Sequence, residues 1–269
     1  MRLTDRECWR ATRSPEGPAT LHLQLQTGRL QAEAWGPGAS WVLDHVPDLV
    51  GLHDDASHFA PRHPVLGELH RRHAGVRLVR TGAVAEALLA TVIEQRVTGA
   101  EAWRSYSRLV RHLGDAAPGP AGLFLPPAPE VLAATPSWTF HRAGVERGRA
   151  DTVRRAMARA DRLEEVTAMP LPDAYRRLRA FPGIGVWSAA EVASVALGDP
   201  DAVSVGDYNL PSQVSWLLAG ERRGDDERML ELLEPYRGQR ARVIRLVEVS
   251  GRRPARRAPR AELRPLPSW

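Results

Sequence analysis

The 269-residue chain contains no lysine, and its 37 Lys and Arg positions are all arginines. It therefore has no side-chain amine that could form a Schiff base, and the α-amino group is the only amine left for such chemistry. Cysteine is nearly absent as well. The single Cys8 excludes an internal disulfide, a four-cysteine iron–sulfur cluster and a four-cysteine zinc site.

Long apolar runs are also missing. No stretch approaches the roughly 18 consecutive apolar residues that span a bilayer. The first residues, MRLTDRECWRATRSPEG, lack the apolar segment of a secretory signal. We therefore expect no membrane partner and, by default, a cytoplasmic location.

The positive charge is concentrated in residues 251–269. This segment holds six arginines and one acidic residue, so it accounts for the whole formal net charge of +5. A basic tail on a neutral body suits a phosphate-backbone partner such as nucleic acid. The alternative is a solubilising tail without a partner.

Two periodicities divide the remainder of the chain. Residues 19–35 alternate, with Leu21, Leu23 and Leu25 on one face and a turn at Thr27-Gly28, which predicts a β-hairpin. With mixed short elements up to residue 80, the pattern predicts a small α+β N-terminal subdomain over residues 1–80. The later pattern is helical, so the fold class is mainly α with this small α+β subdomain.

The helical segments follow from apolar spacing and capping signals. The helix opened by the capping-box residues Thr98 and Glu101 is predicted to bury Trp103, Tyr106, Leu109, Val110 and Leu113. The predicted helices cover residues 84–96, 99–113, 129–134, 146–165, 172–180, 186–197, 209–219, 226–236 and 238–249.

A glycine turn joins two of these helices, in the segment Phe181-Pro182-Gly183-Ile184-Gly185. Glycines adopt backbone angles closed to other residues and let a phosphate approach the amides of the turn. The following helix presents its N-terminal amides, where the macrodipole favours an anion. The turn is therefore a candidate phosphate grip that contacts DNA through Gly183, Ile184 and Gly185. An ordinary glycine-rich helical hairpin is the alternative.

Together with the VGD-x-x-L segment at residues 205–210, this hairpin resembles the helix-hairpin-helix–GPD superfamily of DNA glycosylases. The resemblance is closest to the bacterial 3-methyladenine DNA glycosylase II branch, which acts in alkylation repair, and it covers most of the chain. It implies a shortened N-terminal subdomain, a two-lobed helical body over residues 81–250 with the hairpin at 172–197, and a basic tail at 251–269.

The resemblance also assigns roles in catalysis and in the base pocket. It makes Asp207 the catalytic carboxylate, which stabilises an oxocarbenium-like sugar; a helix-capping role is the alternative. Trp187 stands where strand-cutting members carry a lysine, which implies a monofunctional enzyme, and its indole lines the base pocket or packs in the core. Glu191, one turn later, is a second pocket carboxylate or an exposed helix acid.

Further positions are implied for DNA and metal. Gln95 and Arg96 match the loop that enters the duplex, with a solvated helix end as the alternative, and Arg149 matches a phosphate-contact position. The backbone carbonyls of Arg179, Phe181 and Ile184 match a site for a monovalent cation, Na⁺ or K⁺. No other cofactor is expected.

We therefore expect a monomeric, monofunctional glycosylase that releases damaged bases, alkylated purines above all, from double-stranded DNA. An indole beside carboxylates leads us to expect faster release of cationic than of neutral bases. One alternative is a glycosylase for oxidised, deaminated or bulky bases. The other is a non-catalytic helix-hairpin-helix protein that binds DNA, which would not need Asp207.

Overall fold

The structure, a computed structural model, describes residues 1–254, and it begins with a four-stranded antiparallel sheet in the order β1-β2-β3-β4. The hairpin predicted over residues 19–35 is present as β3 and β4, with Leu21 opposite Ala34 and Leu23 opposite Ala32. Strand β2, which we did not predict, pairs with the other edge of β3. The strands are β1 (Arg2–Leu3), β2 (Glu7–Ser14), β3 (Gly17–Gln26) and β4 (Arg29–Trp35).

Helices account for most of residues 36–254. They are α1 (Ala39–Asp44), α2 (Val46–Leu49), α3 (Pro64–Arg72), α4 (Val84–Glu94), α5 (Gly99–Leu113), α6 (Pro129–Ala134), α7 (Ser137–Arg142), α8 (Arg147–Met157), α9 (Ala160–Glu164), α10 (Leu171–Arg179), α11 (Val186–Val192), α12 (Leu210–Ala219), α13 (Asp226–Leu233) and α14 (Arg240–Val249). Short 3-10 turns follow α9 and α13, and a π-helical turn at Ala193–Leu197 extends α11. Within the described residues, every helix is too short or too polar to cross a bilayer.

The first lobe is built from α4 to α11 around a single apolar core. Helix α4 lies at its centre, because Val84, Leu88, Val92 and Ile93 are all fully buried. Each such aliphatic side chain contributes about 1.5–3 kcal/mol on burial. The lobe therefore holds α4 rigidly, and with it the loop that follows its last turn.

Two carboxylates fix the N-terminal end of α4, one from α9 and one from the first turn of α4 itself. Glu164 of α9 accepts hydrogen bonds from the backbone amides of Val84 (3.1 Å) and Ala85 (2.8 Å), which satisfies donors that the first helical turn leaves free. On α4 itself, Glu86 binds the guanidinium of Arg10 (3.1 Å) and the hydroxyl of Thr12 (2.5 Å) on β2. These contacts join the sheet to the first lobe.

The second lobe contains α3 together with α12, α13 and α14. Leu66 and Leu69 of α3 are buried in the same core as Val243 and Leu246 of α14. The predicted subdomain boundary at residue 80 therefore does not coincide with the boundary between the hydrophobic cores. Residues 1–50 form the sheet with its own small core against α1 and α2, whereas α3 belongs to the C-terminal lobe.

A buried ion pair connects the loop before α3 to α14 of the second lobe. Arg242 of α14 is 2% exposed and donates to Asp54 at 2.5 Å. Near it, the hydroxyl of Tyr236 accepts the backbone amides of Arg62 and His63, each at 3.0 Å. Removing one partner of such a buried pair leaves an uncompensated charge, so the loop before α3 is tied firmly to the second lobe.

The basic tail is described only at its start. Arg252 pairs with Glu68 of α3, so the first part of the tail runs along the second lobe. The rest of the predicted tail, residues 255–269, lies outside the described residues.

Candidate active site

The glycine turn joins α10 to α11 as predicted, and its two glycines serve different purposes. Gly183 has φ +93, and a Cβ there would lie 2.2 Å from the hydroxyl oxygen of Thr152 on α8, so both conformation and packing require glycine. Gly185 has an ordinary extended backbone, and a Cβ there would meet no atom within 4 Å. The backbone at Gly185 therefore faces open space, where another molecule can approach it.

Asp207 lies between the two lobes, in the loop before α12. Its Oδ1 accepts the backbone amides of Asn209 and Leu210, both at 2.7 Å, and its Oδ2 accepts the indole N–H of Trp187 at 3.2 Å. Leu210 is the first residue of α12, so Asp207 binds a free helix-end donor although Asn209 is the formal cap. The carboxylate is thus fixed from both lobes: by α12 of the second and by Trp187 on α11 of the first.

Trp187 is partly buried at the start of α11, with its ring against the catalytic candidate Asp207 rather than sealed in the core. Glu191 follows it by one helical turn on the same face. The sequence left open whether Glu191 is a pocket carboxylate or an exposed helix acid; its side chain is partly buried and accepts a hydrogen bond from the hydroxyl of Ser204. Trp187, Glu191 and Asp207 therefore lie close together at the junction of the two lobes, and this junction is the candidate binding cleft.

The electrostatics of this cleft are dominated by negative charge. Burial, followed by the charges of Glu248, Glu94 and Asp207, raises the pKa of Glu191 to about 7, although the Ser204 hydrogen bond works in the opposite direction. Glu94 at the end of α4 stays accessible to solvent, but the surrounding protein removes part of its hydration. That desolvation and the charge of Asp207 raise the pKa of Glu94 as well.

Within the part of the chain that the structure describes, no arginine or histidine neutralises this group. Among residues 1–254, no ion pair within 4.0 Å involves Glu94, Glu191 or Asp207. An unpaired cluster of this kind stabilises a positive charge that enters the cleft, or holds a proton. The positive charge can be that of an oxocarbenium-like sugar or that of a cationic base.

The loop after α4 reaches the glycine turn. Gln95 donates through its amide nitrogen to the carbonyl of Gly183 (3.0 Å) and to the hydroxyl of Ser188 (2.8 Å), so its side chain positions the turn. Arg96 beside it is exposed and holds a left-handed backbone with φ +57. A non-glycine residue in this conformation is strained, and such residues cluster at functional sites.

The prediction that Arg149 contacts phosphate is corrected by its position. Arg149 is 8% exposed, and its guanidinium donates to the carbonyl of Ile93 at 2.5 Å and to that of Gly144 at 3.5 Å. Ile93 lies in the last turn of α4, where helix carbonyls lack partners within the helix. Arg149 therefore stabilises the end of α4 from inside the protein and does not present its charge to a ligand.

The carbonyls predicted to hold a monovalent cation belong to the end of α10 and the glycine turn. Phe181 already accepts the amide of Ile184 at 3.0 Å, which leaves its carbonyl one further lone pair. Together with Arg179 and Ile184, the donor set consists of neutral oxygens. Such a set fits Na⁺ or K⁺ in its chemistry, and side-chain ligands are not needed.

Sequence reasoning missed three residues of this region. Ser204, three residues before Asp207, is buried and orients Glu191. Glu94 fell within the predicted helix over residues 84–96 and was given no role. Tyr208, directly after Asp207, is 94% exposed at the rim. An aromatic residue directly after a candidate catalytic carboxylate is the one signal that the sequence could have offered.

Comparison with known proteins was made by sequence and by structure. No protein-family model and no curated protein sequence matches the chain. A 3-methyladenine DNA-glycosylase from Archaeoglobus fulgidus matches with a TM-score of 0.79 at 21% identity, covering 93% of this chain and 89% of that one. An 8-oxoguanine glycosylase/lyase from Clostridium acetobutylicum, in complex with double-stranded DNA, matches with a TM-score of 0.65 at 15% identity, covering 89% and 86%.

A third match is the Schizosaccharomyces pombe 3-methyladenine DNA glycosylase in complex with abasic DNA, with a TM-score of 0.57 at 15% identity. It covers 71% of this chain and 91% of the yeast chain. The predicted fold class, mainly α with a small antiparallel sheet, is confirmed. The chain therefore has the fold of the helix-hairpin-helix DNA glycosylases.

Proposed function

We propose that this protein is a DNA glycosylase that hydrolyses the N-glycosidic bond of a damaged base flipped out of duplex DNA. The observation that carries the proposal is the placement of Asp207 between the lobes, fixed by Trp187 of the glycine hairpin and by the first amides of α12. A carboxylate held there stabilises positive charge at C1′ and orients the attacking water.

The hairpin and the loop after α4 supply the proposed DNA contacts. The amides near Gly185 face open space and suit a phosphate oxygen. Arg96 is exposed in a loop that Gln95 ties to the turn, which supports a role for its guanidinium in filling the gap left by the flipped nucleotide. A cation held by the carbonyls of Arg179, Phe181 and Ile184 would add positive charge beside the phosphate. The enzyme acts as a monomer and without another cofactor.

The reaction ends at the abasic site. Strand cutting through an imine needs an amine near C1′, and the hairpin residue nearest Asp207 is Trp187, in a chain without lysine. Hydrolysis by water is the chemistry that Asp207 supports. We therefore assign a monofunctional glycosylase.

Alkylated purines are the proposed substrates. An indole wall beside unpaired carboxylates favours a ring that carries positive charge, and such a base is also the better leaving group. The structural matches include enzymes described for 3-methyladenine and others described for 8-oxoguanine. An oxidised base is therefore the second candidate substrate. It differs from an alkylated purine in being neutral.

The test is a panel of duplexes of identical sequence that each carry one lesion, incubated with the protein and then treated with alkali. We expect cleavage at 3-methyladenine or 7-methylguanine, faster than at hypoxanthine or 8-oxoguanine, and none with Asp207→Asn. Tight binding of the duplexes with no base release from any of them would contradict the glycosylase and support a non-catalytic DNA-binding protein. Faster release of the neutral bases would overturn the alkylation assignment alone.

A further inference from the structure

The proposed reaction leaves the role of Glu191 open. Hydrolysis needs a single carboxylate for the sugar, and Asp207 fills that position. Glu191 stands one turn beyond Trp187 on the face of α11 that meets the cleft, where a flipped base would lie against the indole. Its contacts therefore concern the base and not the sugar.

The hydroxyl of Ser204 fixes the orientation of Glu191. Ser204 is 9% exposed and donates to Oε1 of Glu191, and its own carbonyl accepts the amide of Asp207 at 3.2 Å. The turn that carries the catalytic candidate thus also holds the second carboxyl group. Among the described residues, the hydrogen bond to Glu191 goes to Oε1, which leaves Oε2 free to accept another donor.

Three acidic residues, each from a different element, face Glu191. Glu94 comes from α4, Asp207 from the loop before α12, and Glu248 from α14, and each disfavours a second negative charge on Glu191. Among the described residues, the Ser204 hydroxyl alone favours the ionised form of Glu191. With burial added, the pKa of Glu191 stands at about 7, so near neutral pH a large share of the molecules carries a proton at this position.

Resting on the proposed glycosylase function, we propose that Glu191 is a general acid that protonates the departing purine, which brings neutral bases within reach of the enzyme. As the C1′–N9 bond breaks, its electron pair passes into the purine ring. The proton of Glu191 goes to a ring nitrogen, N3 or N7, while water adds to C1′ and gives its proton to Asp207. Exchange with solvent then returns Glu191 and Asp207 to their starting states.

The division of labour between the two carboxyl groups follows from their surroundings. Asp207 is held as an acceptor by two backbone amides and an indole N–H. Glu191 has one hydroxyl donor and three acidic neighbours. A carboxylate fixed as an acceptor beside the sugar and a second carboxyl group that keeps its proton form the arrangement that acid–base catalysis on a single bond requires.

A cationic lesion needs no such proton, because N-alkylation has already made the base a good leaving group. The signature of Glu191 is therefore a difference between substrates. Release of a neutral base should depend on the protonated fraction of Glu191, and release of a cationic base should not. Any effect of pH on Asp207 or on DNA binding is shared by both substrates and cancels in their ratio.

The experiment measures single-turnover release of hypoxanthine and of 7-methylguanine from duplexes of the same sequence, from about pH 5.5 to about pH 8.5. For the wild type, the ratio of the hypoxanthine rate to the 7-methylguanine rate should be constant at low pH and fall about tenfold per pH unit above a midpoint near 7. Glu191→Gln should lower this ratio at least about tenfold at low pH and make it independent of pH.

Two further variants should move the midpoint in opposite directions. Ser204→Ala removes the bond that favours the ionised form, so the midpoint should rise. Glu248→Gln removes a neighbouring negative charge, so the midpoint should fall. General damage to the fold would lower both rates without moving a midpoint in a predicted direction.

The outcomes separate the two proposals. Release of neither base by the wild type contradicts the glycosylase function and, with it, the role of Glu191. Release of 7-methylguanine with no release of hypoxanthine, or with a ratio that is flat in pH, overturns only the general acid. A pH-dependent ratio that survives in Glu191→Gln assigns the proton to another group and overturns it equally.

Discussion

Replacing Asp207 separates its role in catalysis from its role in holding the start of α12. Asn keeps an oxygen that can accept the amides of Asn209 and Leu210, but it removes the charge and turns an N–H toward the indole N–H of Trp187. Ala removes all three hydrogen bonds. The two variants therefore lose the same catalytic charge and differ in the local structure they leave behind.

The magnitudes follow from these contacts. Loss of the charge that stabilises the transition state should slow base release by about 10²–10³, as for other preorganised electrostatic groups. For Asn, the cost in stability is that of the indole hydrogen bond, about 1 kcal/mol. For Ala, the lost helix-end contacts add about 0.5–2 kcal/mol. For a chain of this size, each kcal/mol lowers Tm by about 2–4 °C.

Three measurements check this prediction. Single-turnover release of 7-methylguanine should be slowed by both variants alike, and thermal unfolding should rank wild type above Asn above Ala. Binding of an undamaged duplex should stay within a few-fold of wild type for Asn, because the lost interaction acts in the transition state. Release by the Asn variant within tenfold of wild type would refute Asp207 as the catalytic carboxylate.

Three other predictions concern the hairpin, the product and the α4 contact. Gly185→Ala should fold normally yet weaken binding to every duplex alike, because its methyl group enters the space open to a phosphate. Gly75→Ala, with similarly open surroundings, is the control. If both variants bind duplexes with the same affinity, the proposed phosphate contact of the glycine turn is wrong. Borohydride should trap no protein–DNA adduct at a rate matching turnover, and the abasic strand should stay intact until alkali is added. Arg149→Met should lower the free energy of unfolding by about 1–3 kcal/mol, measured in urea, while the salt dependence of DNA binding is unchanged; a shallower salt slope would restore Arg149 as a phosphate contact.

The sequence was most informative where local chemistry decides the structure. The capping box at Thr98 and Glu101 is present as predicted, with both reciprocal hydrogen bonds. The face of α5 was predicted less well, because Trp103 is 71% exposed while Ala102 and Ser105 are buried. Helices that approach closely place small residues at their contact, and a search for large apolar side chains misses such a face.

Positions that depend on distant parts of the chain could not be predicted. An arginine on a helix is usually exposed, and only the location of the Ile93 carbonyl explains why Arg149 is buried. Likewise, Glu191 could be placed on a helix face, but whether that face meets solvent or Ser204 depends on how the lobes pack. Asp207 was singled out because a motif carries it, and its catalytic role stays a prediction.

The place of α3 in the second lobe has a consequence for synthesis on the ribosome. Leu66 and Leu69 emerge early, whereas their packing partners Val243 and Leu246 come about 180 residues later, which corresponds to about 10–40 s at the usual rate of translation. The first lobe has all of its residues well before then, but α3 must wait for α14. During that interval two leucines that end fully buried are exposed on the nascent chain, which makes α3 the segment where a chaperone would bind. It is also the segment that a chain cut short before α14 would leave open to aggregation.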